Sequence, residues 1–189
     1  MPKIKKPKIR LFISIAIPEK IKEVLRNISK EVKKENLIEA QWVAPEHQHV
    51  TLHFLGYVAR DFLPEIEETL RQIPFEPFRV TLGPLGLNDA ANPRVIWVNV
   101  DSPMLNWLAQ EIITMLSPFV EPPEREFHGH STLARIKKVH NQDGLRSLID
   151  SYRVAPDSWA VEQFFLMESP LDQAGTVYRE IALFKASEE

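Results

Sequence analysis

One four-residue pattern, H-x-T-L, occurs twice in this chain, at matching places in a repeated order of elements. His49-Val50-Thr51-Leu52 returns as His130-Ser131-Thr132-Leu133, 81 residues later. A single H-x-T-L says little, because histidine and threonine are ordinary strand residues. Two copies say more. A duplication kept only for packing would repeat apolar positions rather than a histidine and a hydroxyl. The fold is therefore expected to present two equivalent strands, one from each half of the chain.

The surrounding periodicity supports the duplication. Residues 9–17 (IRLFISIAI) form a short, mainly apolar, β-rich run that ends at Pro18. Residues 20–35 place Ile21, Val24, Leu25, Ile28 and Val32 on one helical face, and Pro18 suits the start of that helix, where an amide donor is not needed. A β-like run over 49–57 follows, then a helix over 62–73 with Pro64 near its start. A strand over 78–82 leads to the turn-forming Gly83-Pro84 and Asn88-Asp89. The second half gives a strand over 94–100, a helix from Pro103 to Leu116 and a strand over 130–136. A helix over 143–149, a strand over 159–167 and a last strand over 177–184 complete it. Each half reads strand, helix, strand, helix, strand.

That order predicts an α+β, bilobal, duplicated fold: two sheets, each covered by helices on one face, leaving a groove between their other faces. The domain organisation is a basic tail over 1–8 and one bilobal domain over 9–189, with pseudo-repeats at about 9–88 and 93–185. A doubly wound nucleotide-binding sheet is disfavoured. Gly83-Pro84-Leu85-Gly86 lacks the G-x-G-x-x-G spacing and the phosphate-loop lysine.

Residues two apart on a strand face the same way, so His49 and Thr51 share a face, as do His130 and Thr132. A histidine beside a hydroxyl can hold a phosphate oxygen and move a proton. Two such units facing one another supply a base on one side of phosphorus and an acid on the other. In-line displacement at a phosphodiester needs that opposition.

The chain has no cysteine, which removes disulfides, thiolate nucleophiles and cysteine-held metals. No apolar run reaches the roughly 18 residues of a membrane span, and the first ten residues lack a secretory pattern; a cytoplasmic location is expected. The net charge is −3, although Lys3, Lys5, Lys6, Lys8 and Arg10 are all positive. The acidic remainder suits a local phosphate pocket or the end of a strand better than a long nucleic-acid track. A phosphate-bearing ligand is therefore expected, bound by a monomer with no obligate protein partner.

The motif residues also carry a resemblance. The sequence is similar to the two-histidine phosphoesterase superfamily, and specifically to its RNA 2',3'-cyclic phosphodiesterases, historically described as 2'-5' RNA ligases. The matching pieces are residues 10–18 (RLFISIAIP), 42–45 (WVAP), 49–56 (HVTLHFLG), 93–97 (PRVIW), 130–135 (HSTLAR), 167–169 (MES) and 175–178 (GTVY). The resemblance implies two antiparallel sheets around a central cleft. It makes His130 the base that activates water and His49 the acid that protonates the leaving 3' oxygen. Thr51 and Thr132 become the holders of nonbridging phosphate oxygens. It implies an RNA end or a small cyclic-phosphate nucleotide as partner, with no metal and no cofactor. Other readings are a small cyclic-nucleotide or 2'-5' phosphodiesterase or ligase, and a noncatalytic nucleotide-binding module.

Two departures from the family pattern stand out. Gly129 replaces a common proline before the second histidine, so a looser start to that strand is expected. His53 stands where related enzymes often carry lysine or arginine. Alternation from Thr51 places it on the groove face, as a substrate-binding candidate. Arg135 suggests phosphate contact by its family position, yet the same alternation turns it away from His130 unless the strand bends. It is open to substrate contact or to a structural role. Trp42 and Tyr178 are each open to core packing or a place at the site, Arg94 suits an edge charge, and Phe54 and Leu55 suit packing. His47, His49 and His53, or His128 and His130, do not make a convincing metal set. His49 and His53 lie about 12–14 Å apart along a strand, and catalytic zinc usually takes three convergent ligands. His140 adjoins Asn141 in an expected loop.

Overall fold

The computed structural model describes residues 7–172 and 175–187; of the basic tail, residues 1–6 lie outside the described residues. Strand β1 (Lys8–Ala16) buries all but its first, third and last residues, as a strand with neighbours on both sides should. Helix α1 (Glu19–Lys34) buries Ile21, Leu25, Ile28 and Val32, the stripe set by a 3.6-residue period. The carbonyl of Pro18 accepts from the amides of Ile21 and Lys22 at 2.9 and 3.0 Å, which starts the helix at the proline. A short strand β2 (Ile38–Trp42) leads through a single 3₁₀ turn to β3 (His49–Ala59). Helix α2 (Leu63–Arg71) and strand β4 (Phe78–Leu87) end the first half.

The second half contains β5 (Val95–Asp101), α3 (Pro103–Leu116), β6 (His130–Val139) and α4 (Gln142–Ser151). The Asn141 side chain caps α4 by accepting from the Gly144 amide at 2.9 Å. Strands β7 (Ser158–Val161), β8 (Gln163–Glu168), β9 (Leu171–Asp172), β10 (Gly175–Thr176) and β11 (Arg179–Lys185) follow. Among the described residues, no helix is long and apolar enough to cross a membrane.

Two antiparallel sheets dominate, in the orders β11-β8-β1-β3 and β2-β6-β5-β4-β7. The α+β bilobal class holds, but the sheets do not follow the halves of the sequence. β4, from the first half, enters the five-stranded sheet, and β8 and β11, from the second, enter the four-stranded one. The helices exchange too. α2 and α3 pack on β11 and β3, whereas α1 and α4 pack on β6 and β4. A local cause is the β4–β5 hairpin, whose loop is tied by Asn88 Oδ1 accepting from the amides of Arg94 and Val95 at 2.7 and 2.8 Å.

Two expectations need correction. Residues 159–167 are not one strand: the chain breaks at Glu162, with β7 in one sheet and β8 in the other. Gly83-Pro84 is not a turn but an irregularity inside β4, where pairing with β5 jumps between Leu82 and Leu85. A proline is tolerated there because an irregular position has no ladder bond to lose. Strand β2 carries too weak an alternation to be seen beforehand.

Candidate active site

Both H-x-T-L segments begin a strand, and both strands contain the same irregularity. In the β1–β3 ladder Ser14 pairs with Thr51 and Ile13 with His53, so Leu52 is an extra residue. In the β5–β6 ladder Trp97 pairs with Thr132 and Ile96 with Ala134, so Leu133 is the extra residue. An inserted residue reverses the alternation beyond it. His49 and Thr51, and His130 and Thr132, face the cleft between the sheets; after the bulge it is Phe54 and Arg135 that return to it. His53 and Ala134 turn inward instead.

This overturns the placement of His53 in the groove. The residue is 4% exposed, is not among those lining the cleft, and leaves Nε2 without a partner. Burial lowers its proton affinity, so it is a neutral core histidine. Arg135, by contrast, lines the cleft. Phe54, expected to pack, is 62% exposed at the cleft wall.

The cleft measures about 850 Å³ and carries His49 and Thr51 from one sheet and His130 and Thr132 from the other. Each histidine is held in the same way. The Nδ1–H of His49 donates to the His47 carbonyl at 2.7 Å, and that of His130 to the His128 carbonyl at 2.8 Å. A carbonyl only accepts, so Nδ1 carries the proton in both rings and Nε2 is the atom free to give or take another. Phe12 and Tyr178 pack on His49, each at 5.1 Å between ring centres, and Trp97 packs on His130 at 4.9 Å.

Burial pushes the proton affinity of His49 below the ordinary histidine value. The bond to the His47 carbonyl opposes this, and the charges of Arg135, His130 and His47 add to it. Burial likewise lowers that of His130, opposed by its own carbonyl bond and reinforced by His128. Both rings therefore rest neutral at neutral pH, and an anion placed between them would draw protons back.

Sequence reasoning did not assign Arg10, Arg125, Trp97, Asn99 or Ser169 to the site. Arg10 and Arg125 join Arg135 in the cleft wall beside Glu126, so the acidic chain carries a locally basic pocket. Arg10 Nη1 donates to Ser169 Oγ at 3.3 Å, and the Ser169 amide donates to the Arg10 carbonyl at 2.9 Å. Tyr178 belongs to the site. Trp42 packs against the core, and neither Arg94 nor His140 lines the cleft. Gly129 does not loosen its strand. A Cβ there would sit 2.3 Å from the Val100 carbonyl oxygen, and the Val100 amide donates to the Gly129 carbonyl at 2.9 Å. Among the described residues, no three histidine, aspartate or glutamate side chains converge as metal ligands.

Comparison with known proteins agrees with this geometry. Residues 15–97 match the family described as LigT-like phosphoesterases. The RNA 2',3'-cyclic phosphodiesterase of Aeropyrum pernix is 36% identical over 150 residues, covering 77% of this chain and 85% of that protein. The protein of the same name from Methanothermobacter thermautotrophicus is 30% identical over 187 residues, covering 94% and 99%. A crystal structure from Thermus thermophilus superposes with a TM-score of 0.78 at 25% identity, covering 93% of this chain and 97% of that one. Escherichia coli LigT, crystallised with 3'-AMP, shares the fold at a TM-score of 0.78 and 23% identity, covering 96% and 100%. The second of these relatives spans nearly the whole chain at 30% identity, and the chain belongs to the LigT-like phosphoesterase family.

Proposed function

We propose that the chain hydrolyses a terminal 2',3'-cyclic phosphate on RNA to a 2'-phosphate, with His130 as general base and His49 as general acid. The observation that carries this reading is the pair of Nδ1-anchored imidazoles, each beside a threonine hydroxyl, on two sheets facing one cleft. The names of the relatives supply the substrate class, and family resemblance supplies the labels of acid and base.

In the reaction, Nε2 of His130 takes a proton from water as its oxygen forms a bond to phosphorus. The bond from phosphorus to the 3' oxygen breaks on the opposite side, and Nε2 of His49 protonates that oxygen. His49 must first gain a proton, which the bound phosphate anion favours by opposing the repulsion from Arg135 and His130. Thr51 and Thr132 hold nonbridging oxygens, and Arg135 offsets their charge. Phe54 offers an exposed ring against which a base can stack. Every group comes from one chain, so the reading needs no second copy and no protein partner.

The test is product analysis by mass spectrometry and phosphorus NMR. An RNA ending in a 2',3'-cyclic phosphate should gain one water and end in a 2'-phosphate. A 3'-phosphate product would reverse the leaving oxygen, and no turnover on any cyclic-phosphate end would defeat the proposal.

A further inference from the structure

Each of the two central histidines is anchored to a second histidine two residues earlier, and in the second pair the outer ring is also bonded to a strand residue. Asn99 is the residue paired with His130 in the β5–β6 ladder. Its Oδ1 receives two bonds, from Trp97 Nε1 at 2.6 Å and from His128 Nε2 at 2.8 Å. An indole N–H can only donate, which fixes the amide oxygen as the acceptor. His128 must then carry a proton on Nε2, and its ring is fixed to the strand that pairs with His130.

The His128 ring lies 6.2 Å from that of His130, with 25° between their planes. Gly129 makes the arrangement possible, since its missing Cβ lets the loop press against the Val100 backbone and carries His128 over Asn99. We propose that His128, held by Asn99 and Trp97, is a positioning residue for His130. Its carbonyl accepts from His130 Nδ1 at 2.8 Å and so leaves Nε2 of the base toward the cleft. Its ring ties that carbonyl to Asn99, the strand partner of His130, so the base and its anchor are held to the same point of β5.

The kinetic part of this inference rests on the proposed function; the spectroscopic part does not. The experiment follows the Nδ1–H proton of His130 by NMR in the free protein, for wild type, His128→Gln and His128→Ala. Gln keeps a donor able to reach Asn99. The Nδ1–H signal should be resolved in wild type and in His128→Gln, and broadened by solvent exchange in His128→Ala. On cyclic-phosphate RNA, kcat should fall roughly 10–100-fold in His128→Ala with KM little changed, the scale of a misplaced catalytic group, and most of the loss should return in His128→Gln. A His130 signal as sharp in His128→Ala as in wild type would overturn the inference. A broadened signal in a protein that turns over no RNA would sustain it while defeating the proposed function.

Discussion

Alanine at His49 and at His130, made separately, tests the paired acid and base directly. The register partners Ala16 for His49 and Asn99 for His130 hold both strand backbones without help from the rings. The lesion is therefore confined to the proton carrier and the aromatic contacts packed on it. Loss of a positioned proton-transfer group lowers kcat by about 10²–10⁴-fold, equal to about 3–5 kcal/mol of barrier. The two variants part company when the leaving oxygen is made a nitrophenolate, which departs without a proton. The His49→Ala defect should then shrink, while the His130→Ala defect should persist because water must still be activated. Single-turnover rates on both substrates measure this, with circular dichroism to establish that each variant is folded. Near-native kcat in a folded variant would refute the pair. Rescue of His130→Ala alone would keep the pair and exchange its labels.

Thr51→Ala and Thr132→Ala should be milder, each removing a phosphate contact of about 0.5–3 kcal/mol, read as kcat/KM. Arg135→Ala should raise KM roughly 10–100-fold, the scale of a charged hydrogen bond, with partial recovery in Arg135→Lys; an unchanged KM would place Arg135 off the substrate. His53→Leu removes a buried atom without a partner and should stabilise the fold by up to about 1–3 kcal/mol in urea melts. The gain should grow with acidity, because the unfolded chain takes up a proton on His53 as pH falls below about 6.5, before the folded chain does. A destabilised His53→Leu would mean the ring has a partner in the core. Hydrolysis should survive exhaustive EDTA treatment; loss restored by a stoichiometric divalent metal would require a metal-assisted step.

Local periodicity located most strands and helices, because burying one face of a strand or helix leaves its period in the chain. It does not say which sheet a strand joins. β4 carries the same kind of apolar pattern whether it returns to β1 or pairs with β5, and only the short hairpin at Asn88 decides between them. The interruption at Glu162 was hidden for a similar reason. Trp159, Val161, Phe164 and Leu166 are all buried, so the run reads as continuous although it crosses between sheets.

The site was legible where the chemistry repeats and illegible one residue later, for a single physical cause. Strict alternation holds from His49 to Thr51 and from His130 to Thr132, and both pairs reach the cleft. The extra residue at Leu52 and at Leu133 then inverts everything beyond it, sending His53 inward and bringing Arg135 out. Either copy taken alone gives no sign of the slip. Comparing the copies does, since His53 corresponds to Ala134, a residue with no polar group to offer a phosphate, whereas Phe54 corresponds to Arg135. A bulge kept in both halves has a direct use. It lets one strand present a histidine and a threonine to the phosphate and, past the bulge, a ring or a guanidinium to the same cleft. Two consecutive buried residues between them anchor the strand in the core. A regular strand would present every second side chain without interruption, and the residue after Thr51 on that face would be the imidazole of His53, competing with His49 for the phosphate.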